Sequence, residues 1–241
     1  MNIVMPMAGL GSRFKSDFYK TIKPLIPIGG KPMIHEVLKS LKLSGKYHFI
    51  IRKDQYTPQL TYVLKKLIPD CNLIYVNKLT DGPASTCLMA RNLIDSDEQL
   101  IIANSDQVLW WNSDLFQELI KCTDSDGLVV TYDSNSPKNS YARIDKDGFV
   151  LEITEKVVIS DLALVGIHYW KRGRDFVSSA NQMINDKKKS LGEYYVGPTY
   201  NYLIQKGARI LTYHLSKFQH NPVGTPEDLQ KYEEKLWRNT N

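Results

Sequence analysis

The residues best equipped for chemistry stand near the start of the chain. Ala8-Gly9-Leu10-Gly11-Ser12-Arg13 directly follows a short apolar run, Ile3–Met5, that reads as a strand. Glycines at the carboxyl end of a strand let the backbone approach a ligand and turn successive N–H groups toward phosphate oxygens. Arg13 adds a planar fork of donors for the same oxygens. Alone, a Gly-x-Gly pair is as well explained by a tight turn. Lys23-Pro24-Leu25 follows, and a residue before proline is biased to extended backbone. Lys23 is therefore expected to be held out toward a triphosphate rather than wound into a helix. Lys31, just ahead of the first helix, reads as a surface residue.

Three more stretches carry reactive types. Asn104-Ser105-Asp106 closes an apolar strand, where Asp106 can meet a ligand or simply end the strand in a turn. Asp81-Gly82-Pro83-Ala84-Ser85-Thr86 enters a helix, and its Ser and Thr are ordinary cap residues. Glu155-Lys156 alone would be a solvated ion pair worth little. His35, His48, His168, His214 and His220 show neither triad-like nor metal-ligand spacing and read mostly as surface or core imidazoles.

The elements that must position these residues alternate in type. Strands are expected at Ile3–Met5, Tyr47–Arg52, Leu73–Val76, Gln99–Ala103 and Leu128–Tyr132. Between the first two, Met33, Ile34, Val37, Leu38 and Leu41 form one helical face; Pro58–Leu67 and Ala84–Leu93 read as further crossover helices. Such units imply parallel pairing with right-handed crossovers. The second half is more mixed. Tyr141–Ile144 and Phe149–Ile153 flank Asp145-Lys146-Asp147-Gly148 as a hairpin, and Leu162–Trp170 is another strand. Helices are expected over Asp175–Ile184 and Tyr194–Gln205, and a late strand over Arg209–His214. The last helix starts at Thr225-Pro226-Glu227-Asp228, with Leu229, Tyr232, Leu236 and Trp237 on one face.

Composition excludes several classes. The 241 residues suit one large α/β domain, with no repeat or linker to divide them. Thirty-one basic against 26 acidic residues give +5, which suits polyanionic ligands but is too little to mean nucleic acid. Lys187-Lys188-Lys189 reads as a solvated loop. No apolar run approaches a membrane span, and the start lacks the basic region of a signal peptide. Cys71, Cys87 and Cys122 have neither disulfide nor zinc spacing, so a cytoplasmic protein is expected.

Gly-x-Gly-x-Arg followed by Lys-Pro-Leu-x-x-x-x-x-Lys-Pro-Met resembles the sugar-phosphate nucleotidyltransferase family, and the likeness runs to the end of the chain. It implies one domain over residues 1–241, with a Rossmann-like, mostly parallel sheet flanked by helices and a mixed, GT-A-like second half. It also implies a nucleotide-binding half to about residue 135 and an acceptor-binding half beyond. Arg13 and Lys23 take the catalytic roles on the phosphates. Ala8, Gly9, Gly11, Ser12, Gly82, Ser85 and Asn104 take nucleotide-binding roles. Arg143, Glu155, Lys156, Gly166 and Asn201 take acceptor-binding roles, and Asp106 binds Mg²⁺. The family commonly has a second metal-binding Asp two residues before a Gly-Thr near the C-terminus; here Gly224-Thr225 has Pro222 at that place. Asp228 is the nearest acid, but a helix's first turn explains it. Magnesium keeps several waters and needs few protein ligands, so Asp106 with phosphate oxygens suffices.

The implied activity is transfer of a nucleoside monophosphate from an NTP to a small phosphorylated metabolite, with release of pyrophosphate. CTP is favoured, because the chain is as short as the compact cytidylyltransferases and lacks a Gln in the turn before Gly82. Such relatives serve surface-polysaccharide precursor synthesis, with sugar phosphates, phosphocholine or phosphoglutamine as acceptors. No nucleic-acid or membrane partner is implied, and a homo-oligomer stays open. An NAD-dependent oxidoreductase would need a third Gly in the loop. A glycosyltransferase of related fold would usually show Asp-x-Asp where Asn104-Ser105-Asp106 stands. A non-catalytic nucleotide-binding subunit is the remaining alternative.

Overall fold

A computed structural model describes residues 1–14 and 19–240, with only the backbone of 239 and 240. Its centre is a nine-stranded sheet. The strands are β1 (Asn2–Met7), β2 (Lys46–Arg52), β3 (Asn72–Val76), β4 (Leu100–Ala103), β5 (Gly127–Asp133), β6 (Ser140–Ile144), β7 (Val150–Glu155), β8 (Leu162–Trp170) and β9 (Ile210–Leu215). They lie in the order β7-β6-β8-β4-β1-β2-β3, with β5 also paired to β8 and β9 to β5. β1 runs parallel to β2 and β4, and β2 to β3, as the alternating units require. β8 is inserted between β4 and β5, antiparallel to both. That insertion makes the second half mixed and carries β8 into the middle of the sheet.

Helices cover both faces. α1 (Met33–Leu41), α2 (Thr57–Leu67), α5 (Ser113–Cys122) and α8 (Pro226–Thr240) pack on one. α3 (Pro83–Cys87), α4 (Arg91–Ile94), α6 (Gly173–Asn185) and α7 (Tyr200–Ile204) pack on the other. Met33, Ile34, Val37 and Leu41 are fully buried, so the predicted face of α1 is the one that meets the sheet. The α/β class and the one-domain sheet agree with the sequence reading.

Three expectations need correction, and one helix went unread. The helix expected over Ala84–Leu93 is broken into α3, a 3₁₀ turn at Leu88–Ala90 and α4. The one expected over Tyr194–Gln205 is only a 3₁₀ turn, Gly197–Thr199, followed by α7, because the Tyr194 N–H is tied to the Asp81 carbonyl and Tyr195 and Val196 line the site. Trp237 lies off the apolar face of α8 at 69% exposed, whereas Leu229 and Tyr232 are each at 3%. α5 was not anticipated, although Asn112 caps it by accepting from the Leu115 N–H at 3.0 Å and its Phe116 and Ile120 are buried. Among the described residues, no helix is long and apolar enough to cross a membrane.

Candidate active site

β1 delivers the glycine loop to the open end of the parallel strands. Gly11 has φ +60°, and a Cβ there would lie 3.1 Å from the Lys23 Cβ. Gly11 is thus required both by its dihedral and by the approach of Lys23. Gly9 has open space around it and needs glycine on neither count. The loop closes in a 3₁₀ turn over Ser12–Phe14, where the Phe14 N–H donates to the Gly11 carbonyl at 2.9 Å. Lys23 is not extended as expected. Ile22 is the extended residue (φ −75°, ψ 151°), and Lys23 opens a single 3₁₀ turn that tolerates Pro24 near its start.

The Lys23 ammonium is bonded to Asp106 Oδ2, and Gln107 Nε2 donates to Asp106 Oδ1 at 3.2 Å. Burial alone would raise the Asp106 pKa; the charge and hydrogen bond of Lys23, then Arg13 and Gln107, reverse this and hold it below the ordinary carboxylate value. Gln107 is held in turn by His220, whose Nε2 lies 2.6 Å from Gln107 Oε1. This chain depends on a short antiparallel ladder, Gln107–Leu109 against His220–Pro222. The Val223 N–H donates to the Asp106 carbonyl at 2.9 Å, so the tail of the chain is stitched to the strand end that bears the carboxylate.

Two contiguous cavities open around this pair. The first, about 280 Å³, is lined by the glycine loop with Arg13, Lys23, Pro83, Asn104, Asp106 and Glu193. The second, about 430 Å³, is lined by Lys138, Ser140, Glu155, Lys156, Gly166 and His168, among others. Arg13, Pro83, Asn104, Asp106, Tyr195 and Gly224 line both. Tyr195 has its hydroxyl pushed up to about 12, by burial first and then by the charges of Glu193 and Glu155. In the second lobe Glu155 is only 7% exposed, bonded to the Ser140 hydroxyl and 3.0 Å from Lys156 Nζ. Lys156 has φ +60°, which turns its side chain back so that Nζ also donates to the Lys138 carbonyl at 2.6 Å.

The structure brings Gly9, Gly11, Ser12, Arg13, Lys23, Asn104 and Asp106 together in the first lobe, and Glu155, Lys156 and Gly166 in the second. Gly166 (φ +90°) supports Asn104 directly: its carbonyl accepts from the Asn104 N–H at 2.9 Å, and a Cβ would fall 2.2 Å from Asn104 Nδ2. Ala8 is buried behind the loop. Gly82 and Ser85 line neither lobe, although Pro83 between them lines both. Gly82 (φ 122°) caps α3 without a side chain, and Tyr194 clamps the turn by donating its N–H to the Asp81 carbonyl at 2.7 Å. Two expected acceptor residues are elsewhere. Arg143 faces outward and pairs with Glu152 at 3.3 Å, its cross-strand neighbour. Asn201 bonds the Ile153 N–H and carbonyl, both at 2.8 Å, and so anchors β7 to α7. Sequence reading passed over Lys138 and Glu193, placed Gln107 in the metal-binding segment and Tyr195 in an acceptor-lining one only by resemblance, and took His168 and His220 for bland imidazoles.

A divalent ion fits the site with one protein carboxylate. Among the described residues no group of three or more His, Cys, Asp or Glu could hold a metal. Pro222 indeed stands in the ladder opposite Gln107 and offers no oxygen from its side chain. Asp228 closes a cap with Thr225, whose Oγ1 donates to Asp228 Oδ2 at 2.7 Å and accepts from the Asp228 N–H at 3.1 Å. Beside Asp106, a Cβ on Gly224 would lie 2.8 Å from Oδ2, so the glycine keeps open the space an ion and its waters would take.

The profile of the family described as "Nucleotidyl transferase" matches residues 2–239. The bifunctional protein GlmU of Pseudothermotoga lettingae is 29% identical over 214 residues, 84% of this chain and 45% of that protein. The chain thus spans about half the length of such curated relatives. The choline-phosphate cytidylyltransferase of Haemophilus influenzae is 37% identical over 78 residues, 32% of this chain and 33% of that protein. Among solved structures, the nucleoside-diphosphate-sugar pyrophosphorylase of Vibrio cholerae RC9 superposes with a TM-score of 0.84 at 23% identity, covering 96% of this chain and 99% of that one. A profile match over nearly the whole chain, on a fold that places the glycine loop, Lys23 and Asp106 around one cavity, establishes that this chain belongs to the nucleotidyl transferase family.

Proposed function

We propose that the chain transfers a nucleoside monophosphate from an NTP, CTP by preference, to a small phosphorylated acceptor and releases pyrophosphate. The observation that carries this reading is the pair of contiguous lobes meeting at Arg13 and Asp106. Residues to about 135 supply the glycine loop, Arg13, Lys23, Asn104 and Asp106 for the nucleotide. Residues beyond supply Glu155 and Lys156 for the acceptor. The cytidylyltransferase likeness and the absence of Gln in the Thr80-Asp81-Gly82 turn support CTP. The product would be an activated precursor of the kind surface polysaccharides are built from, as the resemblance to compact cytidylyltransferases suggests.

The chemistry is in-line attack of an acceptor phosphate oxygen on the α-phosphorus. A phosphate monoester has its second pKa near ~6, so at neutral pH it is already largely dianionic and needs no general base. The obstacle is bringing two polyanions together. Lys156 holds the acceptor phosphate from the larger lobe, while Arg13 and Lys23 neutralise the triphosphate and the charge that develops on pyrophosphate. A divalent ion held by Asp106 would add Lewis-acid stabilisation of the same charge. Glu155, fixed by Ser140, is left to accept from polar groups of the acceptor. Pyrophosphate release measured with four NTPs against a panel of phosphorylated metabolites tests the reading. NTP binding without pyrophosphate release from any pair would make the chain a non-catalytic nucleotide-binding protein.

A further inference from the structure

His168 has no role in the chemistry above, yet its surroundings are unusual. Alternation along β8 puts Leu164, Gly166, His168 and Trp170 on one face. The first three line the larger lobe and Trp170 does not, so His168 stands where the lobe meets the core. The imidazole is 5% exposed, and its Nδ1 is fully buried with no hydrogen-bond partner among the described residues. No described neighbour pairs with it, and the indole N–H of the adjacent Trp170 is itself buried and unpaired. The ring lies beside the stacked rings of Trp170 and Tyr200, 6.0 Å from each centroid, and those two rings lie 4.5 Å apart. The Tyr200 hydroxyl is already committed to the Tyr169 carbonyl at 2.8 Å. Toward α7 stands Gly197, whose Cβ, had it one, would reach only to 3.9 Å from His168 Cε1. Burial holds the ring neutral, with its pKa pushed down to about 3. Nε2 is not sealed as Nδ1 is, and with no partner among the described residues it is the nitrogen left to a ligand in the lobe.

We propose that His168 is a specificity-determining residue of the acceptor lobe, reading an uncharged group that both donates and accepts hydrogen bonds. A hydroxyl or a carboxamide qualifies; either satisfies the ring whichever nitrogen bears the proton. A carboxylate would need a cation there, and a quaternary ammonium has no hydrogen to give. Lys156 and Lys138 lie at the same lobe, so the group read by His168 is carried on the acceptor away from its phosphate. This rests on the assignment of the larger lobe to the acceptor.

Four phosphomonoesters differing at that end serve as probes: glycerol 3-phosphate, phosphoglycolamide, phosphoglycolate and phosphocholine. Their binding by calorimetry, and their KM and kcat at saturating NTP, are measured for the wild type, His168→Leu and His168→Asn. Thermal unfolding without ligand is measured alongside. Wild type is expected to prefer the hydroxyl and amide probes. His168→Leu is expected to weaken those two by about 10- to 100-fold in Kd and KM with kcat little changed, to leave the other two alone, and to melt no lower than wild type because an unpaired polar group is gone. His168→Asn is expected to recover part of the loss. An unchanged preference in His168→Leu, a wild-type preference for phosphoglycolate or phosphocholine, or a lowered melting temperature with every probe weakened alike would overturn the proposal. Probes that compete with NTP in the wild type would instead overturn the assignment of the lobe itself, and the proposal with it.

Discussion

Lys23→Ala should do two things of opposite sign, and the pairing of Lys23 with Asp106 fixes both. Each side chain of the pair is 19% exposed, so solvent screens the contact only in part. With Gln107 on Oδ1 and Lys23 on Oδ2, both carboxylate oxygens are occupied in the resting protein. A divalent ion that approaches Asp106 without nucleotide must displace an ammonium and then repel it. A charge-assisted hydrogen bond contributes about 1.5–3 kcal/mol, and about 1.4 kcal/mol is tenfold in affinity. Lys23→Ala should therefore tighten Mn²⁺ binding to the nucleotide-free protein by roughly 10- to 100-fold, by calorimetry or by the loss of free-ion paramagnetic resonance. Turnover should fall by roughly 10²-fold or more, because one stabiliser of developing phosphate charge is lost. Tighter metal with slower catalysis is a combination that misfolding cannot give. A mutant that binds Mn²⁺ no more tightly, or a Lys23→Ala/Asp106→Asn double mutant that binds it as well as the single, would refute the competition.

The same pair sets a sign in pH. Asp106 is depressed in the folded protein, so its contribution to stability is full above the unfolded carboxylate value, ~3.9, and is lost as pH falls through the lower folded value. Without Lys23, burial becomes the larger influence and drives the pKa upward. Lys23→Ala should then lose about 3 kcal/mol or less at neutral pH, since a partly buried charge is left less compensated, and regain part of it on acidification toward pH 5. Wild type should show no such gain from this pair. Denaturant unfolding at both pH values checks it.

Three further outcomes are expected. Arg13→Ala should weaken NTP binding first, whereas Glu155→Gln or Lys156→Ala should raise the acceptor KM and spare NTP binding; equal losses in calorimetric titrations of all three would dissolve the division into halves. Asp106→Asn should abolish most activity, but Asp228→Asn should cost only a few tenths to ~1 kcal/mol at the start of α8, and a raised Mg²⁺ requirement in the latter would make Asp228 a ligand after all. Gly166→Ala combines a left-handed backbone with a collision at Asn104 Nδ2, so it should cost about 1–3 kcal/mol in stability and cut turnover, and a mutant that melts and turns over normally would show that Asn104 is free to move.

The first half of the chain was legible because its determinants are local. Each strand to β4 is a short apolar run, and α1 and α2 show their buried faces in the spacing of their own residues. What the sequence hid is made by distant segments. The ladder of Gln107–Leu109 with His220–Pro222 joins two three-residue strands far apart in the chain, and neither has a pattern of its own. Without that ladder nothing links His220 to Gln107, or Gln107 to Asp106. The insertion of β8 between β4 and β5 is equally non-local, since Leu162–Trp170 reads as a strand but does not say whose neighbour it is. α5 is the exception: its cap and its Phe116/Ile120 spacing were there to be read.

The acceptor side shows how position overrides residue type. Arg143 and Lys156 are both cations near the hairpin, and the resemblance gave both to the acceptor. Register separates them. Arg143 sits inside the ladder directly opposite Glu152, so it finds its counter-charge on the outer face and stays there. Lys156 lies just past the end of β7, opposite the uncharged Asn139, and its backbone turns left-handed. That turn returns the ammonium to the lobe, onto the Lys138 carbonyl and a Glu155 that is buried and pinned by Ser140. A buried carboxylate is costly unless paired, so removing Lys156 would strand Glu155, and removing Ser140 would loosen it. Glu155-Lys156, a pair worth little in solvent, is held by two other contacts in the fold. Those contacts, and not the dipeptide, make it available to a ligand.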